Sequence, residues 1–236
     1  MTSEFFRFPH TPHLIWLGEL LPRDDKVLSL SEVRLVLEQT LSIEEKVDGA
    51  NFGISFDLDG NLKIQNRGSY LSLPYGGQFA KIDQWTSPRT DMLFDVLGER
   101  LILFGEWCFA RHSLKYQKLP DWLLGFDIYD RKEKRFFCTK RRDALFEQLD
   151  IFSVAHIDSG KFTIPELKAL LERTKSAYRD GPIEGFYIRV DDVEWTIARA
   201  KLVRPEFTQS IGAHWRHRNI ERNSLMSLDE RRRARN

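Results

Sequence analysis

Residues 43–52 read Ile-Glu-Glu-Lys-Val-Asp-Gly-Ala-Asn-Phe, and this stretch decides how the rest of the chain is interpreted. Apolar residues flank Lys46, so we expect a strand that ends at this lysine. Gly49 permits a sharp turn directly afterwards, and a lysine in that place can project into a cleft. A solvated lysine before an Asp-Gly turn is the simpler alternative, since such tetrapeptides are common.

Alternating residues and turn signals predict a chain rich in β-strands. A hairpin is expected from strands at residues 51–57 and 62–66, joined by a turn at Asp59-Gly60. Further strands are expected at residues 101–107, 122–129, 135–138, 185–190 and 193–198, the last two paired across Asp191-Asp192. Because strands outnumber helices and form hairpins, we expect an α+β fold with antiparallel sheets flanked by helices, not a doubly wound parallel sheet.

Apolar periodicity and capping residues predict several helices. One helix is expected to begin at Ser31, with Val33, Val36, Leu37 and Leu41 on one stripe. Other helices are expected at residues 89–97 up to Gly98, at 143–149, and at 165–175 behind the cap Thr163. A last helical stretch is expected beyond Pro205, frayed over 231–235. No repeat, Gly/Ser linker or long proline-rich stretch interrupts these elements, so we expect one compact domain.

The composition of the chain limits the classes of protein to consider. It has 236 residues, of which 42% are apolar and 30% charged. These values fit a globular protein with a sizeable core and exclude low-complexity disorder, collagen and a disulfide miniprotein. We find no apolar run long enough to span a membrane and no secretory signal, so we expect a cytoplasmic protein. Cys108 and Cys138 are expected to be reduced thiols.

The charge is distributed unevenly along the chain. The net charge is 36 − 35 = +1, but residues 199–236 hold ten Lys or Arg against four Asp or Glu, a net of +6 that leaves −5 for residues 1–198. A basic tail on an acidic body is typical of a protein that meets a polyanion at one end. A solvated C-terminal helix is the alternative explanation.

Lys46 is a candidate nucleophile. An amine reacts at neutral pH when desolvation or nearby positive charge lowers its pKa. The chain offers four cations distant in sequence that could serve, namely Arg67, Arg189, Arg199 and Lys201.

The order of motifs along the chain strengthens this interpretation. Lys46-Val-Asp-Gly49 resembles the nucleotide-binding motif of the covalent nucleotidyltransferases, which are the ATP-dependent polynucleotide ligases and the mRNA capping enzymes. The extended form from Glu45 to Phe52 is most similar to RNA ligases of the phage T4 RNA ligase 2 type. Five further motifs follow in the family's order: Asn66-Arg67-Gly68, Phe104-Gly-Glu106-Trp107, Gly125-Phe126-Asp-Ile-Tyr129, Glu184-Gly-Phe-Tyr-Ile-Arg189 and Arg199-Ala-Lys201-Leu-Val.

The resemblance covers about residues 43–204 and implies a nucleotidyltransferase domain of the ATP-grasp-like ligase type over residues 1–205, with the nucleotide in a cleft between sheets. By this resemblance Lys46 attacks the α-phosphorus of ATP and becomes a lysyl–adenylate. Lys201 contacts the α-phosphate with Arg199 in support, and Glu184 holds Mg²⁺ (or Mn²⁺). The family commonly has two lysines where this chain has Arg199 and Lys201, so which of them touches the phosphate stays open.

The resemblance also implies the residues that recognise the nucleotide. These are Phe126, stacked on adenine, Glu45 near the base edge, Glu106 at the ribose hydroxyls, and Asn51 and Arg67 in the later steps. Each has a structural alternative, such as a core aromatic for Phe126, a loop end for Glu184 and a surface arginine for Arg67. A purely structural role is a weaker alternative for Glu106, because a carboxylate in an apolar strand needs a partner or a ligand.

The length after the last motif bears on the substrate. Residues 206–236 are too few for the oligonucleotide-binding barrel that such ligases usually append, so we expect a short, basic, helical extension. We hypothesise that residues 214–235, with Trp215 as a stacking residue, grip nucleic acid. Deletion of residues 212–236 is then expected to spare adenylylation of Lys46 and to weaken sealing.

These observations together predict an ATP-dependent RNA ligase that seals 5′-phosphate and 3′-hydroxyl ends in RNA repair. The expected substrates are nicked duplexes or broken tRNA-like ends, with a kinase/phosphatase as a partner that prepares the ends, no membrane, and a monomeric enzyme. The alternatives are a DNA-sealing or guanylyl-transferring relative, and a non-catalytic RNA-binding module of the same fold. Whether the substrate is RNA or DNA, and whether it is a nick or a single strand, stays open.

Overall fold

The structure is a computed structural model that describes residues 4–19, 26–208 and 221–233. Its strands are β1 (Leu41–Lys46), β2 (Ala50–Phe56), β3 (Leu62–Gln65), β4 (Leu101–Trp107), β5 (Leu123–Asp130), β6 (Arg135–Phe136), β7 (Phe152–Ser153), β8 (His156–Gly160), β9 (Gly185–Asp191) and β10 (Thr196–Val203). Its helices are α1 (Leu30–Leu37), α2 (Ile82–Thr86), α3 (Thr90–Leu97), α4 (Thr139–Gln148), α5 (Ile164–Arg173), α6 (Pro205–Thr208) and α7 (Leu228–Arg233), with short 3₁₀ turns at Gly77–Phe79 and Ser87–Arg89.

The strands form two sheets. The first has the order β10-β9-β1-β8, and the second has the order β3-β2-β4-β5-β6, with β7 beside β5. All of these pairs are antiparallel except β5 with β7. The predicted α+β fold with antiparallel sheets is therefore confirmed.

The chain passes from one sheet to the other immediately after Lys46. β1 pairs with β8 and β9, whereas β2 pairs with β3 and β4, so β1 and β2 are consecutive in sequence but belong to different sheets. The predicted hairpin of β2 and β3 is confirmed, with Gly53 opposite Gln65 and Phe56 opposite Leu62. The crossing at residues 47–49 places the end of β1 at the cleft between the sheets.

Each sheet buries one apolar face. The first sheet packs with α1 and α5 around residues such as Leu41, Ile43, Leu167, Phe186 and Leu202. The second sheet packs with α2, α3 and α4 around residues such as Phe52, Trp85, Leu93, Trp107 and Phe146. The charged residues that alternate with these apolar ones consequently face the cleft, because neighbouring side chains on a strand point to opposite sides.

The helices follow their capping signals, with some boundaries shifted. α1 begins at Leu30 behind Ser29, whose side chain and Glu32 form a capping box. The prediction that Leu41 lies on its stripe is wrong, because Leu41 opens β1. Thr163 caps α5 as predicted, together with Glu166.

Two predicted boundaries are corrected by local hydrogen bonds. The strand expected at 193–198 is β10, Thr196–Val203, because Asp192 Oδ1 accepts the backbone N–H groups of Glu194 and Trp195 and extends the turn through residue 195. The helix expected at 143–149 starts at Thr139, where Asp191 Oδ2 accepts the N–H and hydroxyl of Thr139.

Residues 221–226, which fall within the predicted C-terminal extension 206–236, pack against the body of the protein. Asn223 is buried and bonds the backbone of Tyr116, Cys108 and Ala110. Backbone bonds also join Arg111 to Glu221 and Met226 to Leu119. A deletion of residues 212–236 would therefore disturb the fold and cannot isolate a contact with nucleic acid. Trp215 lies outside the described residues, as do residues 234–236 of the predicted frayed end.

Cys108 and Cys138 are buried free thiols, as expected. Among the described residues, every helix is too short or too polar to cross a membrane.

Candidate active site

A cavity of about 370 Å³ opens where the two sheets meet. Its walls come from the end of β1, the crossing, both sheets and the N-terminal segment. The residues that line it are Phe8, His10, Thr11, Glu45, Lys46, Val47, Asp48, Gly49, Asn51, Arg67, Glu106, Phe126, Val154, Tyr187 and Lys201. Seven of the nine predicted site residues line this one cavity; Glu184 contacts Lys46 beside it, and Arg199 lies elsewhere.

Lys46 and Glu184 form an ion pair at the cavity. Lys46 Nζ lies 2.7 Å from both Oε1 and Oε2 of Glu184. Burial lowers the pKa of Lys46, but the carboxylates of Glu184, Asp48 and Glu106 raise it more, so the pKa lies above its ordinary value. In the absence of ligand the amine is thus an ammonium ion, and the expected lowering of its pKa does not occur in this state.

The turn that carries Lys46 is held by a neighbouring loop. Asp48 Oδ2 accepts the backbone N–H groups of Ser113 and Leu114 at 2.7 and 3.0 Å. The backbone N–H of Asp48 donates to Tyr116 Oη at 2.9 Å. These contacts, made by a loop more than 60 residues away in sequence, fix the path of the chain immediately after the lysine.

Glu106 reaches the same turn from β4. Its Oε1 accepts the N–H of Gly49 at 2.9 Å. Burial raises the pKa of Glu106 to about 7, against the opposing effect of Lys46. A Cβ on residue 49 would lie 2.7 Å from the carbonyl oxygen of Trp107, so only glycine permits this close approach. Glu106 can therefore accept hydrogen bonds from a ligand at a point fixed by the crossing.

Asn51 and Glu45 differ in how far their polar groups are satisfied. Asn51 Oδ1 is buried in the cavity wall and has no hydrogen-bond partner. Because an orphaned buried acceptor is costly, it is suited to receive a ligand donor. Glu45, in contrast, accepts from Ser176 Oγ at 2.5 Å and from Ala177 N at 2.9 Å, and burial raises its pKa. Its carboxylate is held by the loop before β9.

Aromatic rings form the apolar part of the cavity. The rings of Phe126 and Tyr187 are nearly parallel, with centroids 6.4 Å apart and an interplanar angle of 24°. Phe8 packs edge-on against Phe126 at 5.3 Å, and Tyr187 Oη lies 3.1 Å from Thr11 Oγ1. Sequence reasoning found Phe126 but missed Tyr187, which stands two residues after the glycine of its motif.

Three of the four predicted cations occupy different environments, and the fourth, Arg189, is buried against Glu44 and Asp127. Lys201 lies on β10 opposite Tyr187 and lines the cavity. Arg67 follows β3, is exposed, and also lines the cavity. Arg199 lies outside the cavity lining, because its guanidinium donates to Asp127 at 2.8 Å and lies 3.8 Å from the Phe136 ring. Of the cations in the last motif, Lys201 is therefore the one that faces the cavity.

The donor set limits how a metal could be held. Among the described residues, no cluster of three or more His, Cys, Asp or Glu side chains is arranged to hold an ion. The cavity instead offers separate carboxylates, with Glu184 beside Lys46 and Glu106 at the turn. Mg²⁺ is usually bound by one or two carboxylates together with substrate phosphates and water, so these residues fit a metal that arrives with a nucleotide.

The two antiparallel sheets, with a lysine at the crossing between them, have the fold of a nucleotidyltransferase. The RNA ligase family model matches residues 39–203, so the chain belongs to the RNA ligase family. No curated protein matches the chain by sequence.

Solved structures of an RNA ligase from Naegleria gruberi share this fold. A variant with ATP and Mn has a TM-score of 0.62 and 16% identity, over 87% of this chain and 58% of that chain. The ligase with PPi has a TM-score of 0.59 and 19% identity, over 86% and 62%. A variant with AMP and Mn has a TM-score of 0.62 and 16% identity, over 86% and 63%. The chain thus spans about three fifths of the length of the structures it matches.

Proposed function

We propose that the protein is an ATP-dependent RNA ligase that seals 5′-phosphate and 3′-hydroxyl RNA ends through a Lys46–AMP intermediate and an adenylylated 5′ end. One observation carries the proposal: Lys46 Nζ contacts both Glu184 oxygens at the edge of a cavity that Lys201, Glu106 and Phe126 also line. Membership of the RNA ligase family supports it.

The first step forms a bond between Lys46 Nζ and the α-phosphorus of ATP and breaks the bond to the bridging oxygen, so that pyrophosphate leaves. Because neighbouring carboxylates raise its pKa, Lys46 is protonated at rest and must first release this proton to solvent. Mg²⁺ or Mn²⁺ held by Glu184 would supply positive charge that neutralises this carboxylate and favours the free amine. Lys201 faces the cavity and is assigned to the charge that develops on the α-phosphate.

Nucleotide recognition is assigned to the walls of the same cavity. Phe126 and Tyr187 offer ring faces to adenine. Glu106 accepts ribose hydroxyls, a role open to it because its Oε2 is not needed by Gly49. Glu45 is assigned to the base edge, with its carboxylate oriented by Ser176 and Ala177.

The later steps transfer AMP to the RNA. The 5′-phosphate of the donor strand attacks the lysyl–adenylate, and the 3′-hydroxyl of the acceptor then displaces AMP. Asn51, with its unpartnered buried Oδ1, and Arg67, exposed at the cavity mouth, are assigned to these steps. Arg199 supports the site indirectly, through Asp127.

The biological setting is also part of the proposal. Nicked duplexes or broken tRNA-like ends are the proposed RNA substrates, and a kinase/phosphatase would supply ends of the required chemistry. The excess of basic residues at 199–236 supports binding of a polyanion. We further propose a monomeric, cytoplasmic enzyme.

Covalent labelling tests the function directly. Purified protein is incubated with ATP or GTP and a divalent metal, and its intact mass is then measured. An increase of one AMP residue on Lys46 is expected with ATP, and none in Lys46→Ala. Lys161→Ala removes an exposed lysine that does not line the cavity and is the matched control.

Three outcomes would contradict the proposal. Predominant labelling by GTP would favour a guanylyl-transferring relative, and labelling that persists in Lys46→Ala would remove Lys46 from its role. An absence of any adduct in the unmodified protein would favour a non-catalytic RNA-binding module. Sealing assays on matched RNA and DNA nicks and single strands then identify the substrate.

A further inference from the structure

Phe126 occupies a β-bulge in β5. Phe104 on β4 pairs with Asp127, and the next residue, Gly105, pairs with Gly125, so Phe126 is skipped in the register. A bulge leaves its extra residue out of the regular ladder and changes the direction of its side chain. The orientation of the Phe126 ring in the cavity therefore depends on whatever holds this bulge.

Two buried arginines hold it. The carbonyl oxygen of Phe126 accepts from Arg142 Nη1 at 2.9 Å and from Arg189 Nη2 at 2.5 Å. Both guanidinium groups are essentially inaccessible to solvent, at 1% and 0% exposure. Arg142 comes from α4 and Arg189 from the first sheet, so neither belongs to the strand that they hold.

Glu44 joins the two arginines. Its Oε1 lies 2.5 Å from Arg142 Nη2, and its Oε2 lies 2.8 Å from Arg189 Nε. Although burial opposes ionisation of Glu44, the two arginines lower its pKa below the ordinary value, so the carboxylate stays charged. Asp127 accepts from Arg189 Nη1 at 2.7 Å and from Arg199 on its other oxygen.

This arrangement is difficult to explain by stability alone. Buried ion pairs often contribute no more than apolar side chains of similar volume, because desolvation offsets their attraction. What the arginines supply here, and an apolar core would not, is directional hydrogen bonding to one carbonyl. That carbonyl belongs to the residue whose ring lines the cavity.

We propose that Arg142 and Arg189, braced by Glu44, are positioning residues that fix the Phe126 ring for stacking on the adenine of ATP. The inference rests on the proposed function and adds to it two arginines that do not touch the nucleotide. Arg142 stands outside every motif that suggested the function.

A double-mutant cycle tests the proposal. Arg142→Lys keeps a positive charge for Glu44, but one ammonium group cannot reproduce the fork that reaches both Glu44 and the Phe126 carbonyl. The concentration of ATP that half-saturates Lys46–AMP formation, and the maximal rate, are measured for the unmodified protein, Arg142→Lys, Phe126→Ala and the double variant.

If Arg142 acts through the ring, Arg142→Lys raises the half-saturating ATP concentration about tenfold, the scale of one base–aromatic stack, and changes the maximal rate much less. In the Phe126→Ala background the same substitution has no further effect, because the ring is already absent. Arg141→Lys is the matched control, since Arg141 lies one residue earlier and packs on the Phe137 ring at 3.8 Å. It is expected to leave both parameters unchanged.

Independent, multiplicative effects of the two substitutions would overturn the inference and leave the proposed function intact. A lower melting temperature of Arg142→Lys with unchanged half-saturation would do the same. If the unmodified protein formed no adduct, both proposals would fall. Should Arg142→Lys not fold, the neutral pair Glu44→Gln with Arg142→Gln replaces it in the cycle, with the same expectations.

Discussion

The Lys46–Glu184 ion pair keeps the amine of Lys46 protonated. Sequence reasoning expected neighbouring cations to depress the pKa of the amine, whereas three carboxylates raise it. Of the predicted cations, Lys201 and Arg67 line the same cavity, and Arg199 is engaged by Asp127. The resting site is therefore negative around the lysine, which suits a protein that takes up a nucleotide together with a divalent cation.

Glu106 gives a prediction at the residue scale. Its pKa is about 7 in the folded protein, because of burial, against an ordinary value of 4.5. The folded state therefore holds a proton that the unfolded chain releases between these values, and stability falls as pH rises through this window. Glu106→Gln removes this titration. The melting temperature of the variant minus that of the unmodified protein is therefore expected to rise from about pH 4.5 to 7 and to stay constant at higher pH.

Thermal melts at a series of pH values, without nucleotide, measure this difference. Glu172→Gln, on the exposed side of α5, is the control that should run parallel to the unmodified protein. Parallel curves for Glu106→Gln would contradict the assigned titration.

At this scale, a site residue could be predicted where it stands in a recognisable sequence motif. Lys46, Glu106, Phe126 and Lys201 stand in short motifs, and the fold brings them to one cavity. Asp48 anchors to the loop at 113–116, and that contact depends on a loop whose position only the tertiary structure defines.

At the scale of elements, the close approach of β9 to β10 depends on Gly185. This residue pairs with Lys46 on β1 and with Val203 on β10. A Cβ there would lie 2.3 Å from the carbonyl oxygen of Leu202 and 2.8 Å from the Val203 Cα. Both are backbone atoms, so the strands themselves would have to separate.

Gly185→Ala is therefore expected to destabilise the protein by about 1–3 kcal/mol, the usual cost of overpacking. Chemical denaturation followed by circular dichroism measures the change in the free energy of unfolding. Gly76→Ala is the control, because a Cβ at that exposed loop position meets nothing within 4 Å. Equal stability of the two variants would show that the sheet can absorb the methyl group.

The elements themselves were predictable where one pattern prevailed. β4 matches its predicted span, and its run of apolar residues begins directly after the charged pair Glu99-Arg100. β10 was predicted to end at Ala198, yet the strand continues through Arg199 and Lys201 to Val203. Those charges are accommodated by Asp127 and by the cavity, contacts that local periodicity does not contain.

At the scale of the whole molecule, residues 221–226 support the cavity from outside. Asn223 Oδ1 accepts from Tyr116 N at 2.9 Å, and its Nδ2 donates to the carbonyls of Cys108 and Ala110 at 2.8 and 3.2 Å. Tyr116 in turn accepts from the N–H of Asp48. A chain of contacts therefore runs from the C-terminal segment to the turn that carries the lysine.

Asn223→Ala is expected to lose about 1–3 kcal/mol of stability, because it leaves buried backbone groups unsatisfied. It should also speed protease cleavage within residues 108–119, measured by limited proteolysis and mass spectrometry. Ser224→Ala is the matched control, since that exposed residue contributes through its backbone. An unchanged cleavage pattern in Asn223→Ala would show that the loop is held without this side chain.

The same segment has a consequence for synthesis of the protein on the ribosome. Of the residues that brace the lysine turn, those at 221–226 are translated last, after the last strand of either sheet. A nascent chain that has not yet released them carries every group that lines the cavity but lacks the outer support of the loop. The outer support of the loop at 113–116 is therefore added only after both sheets have been translated.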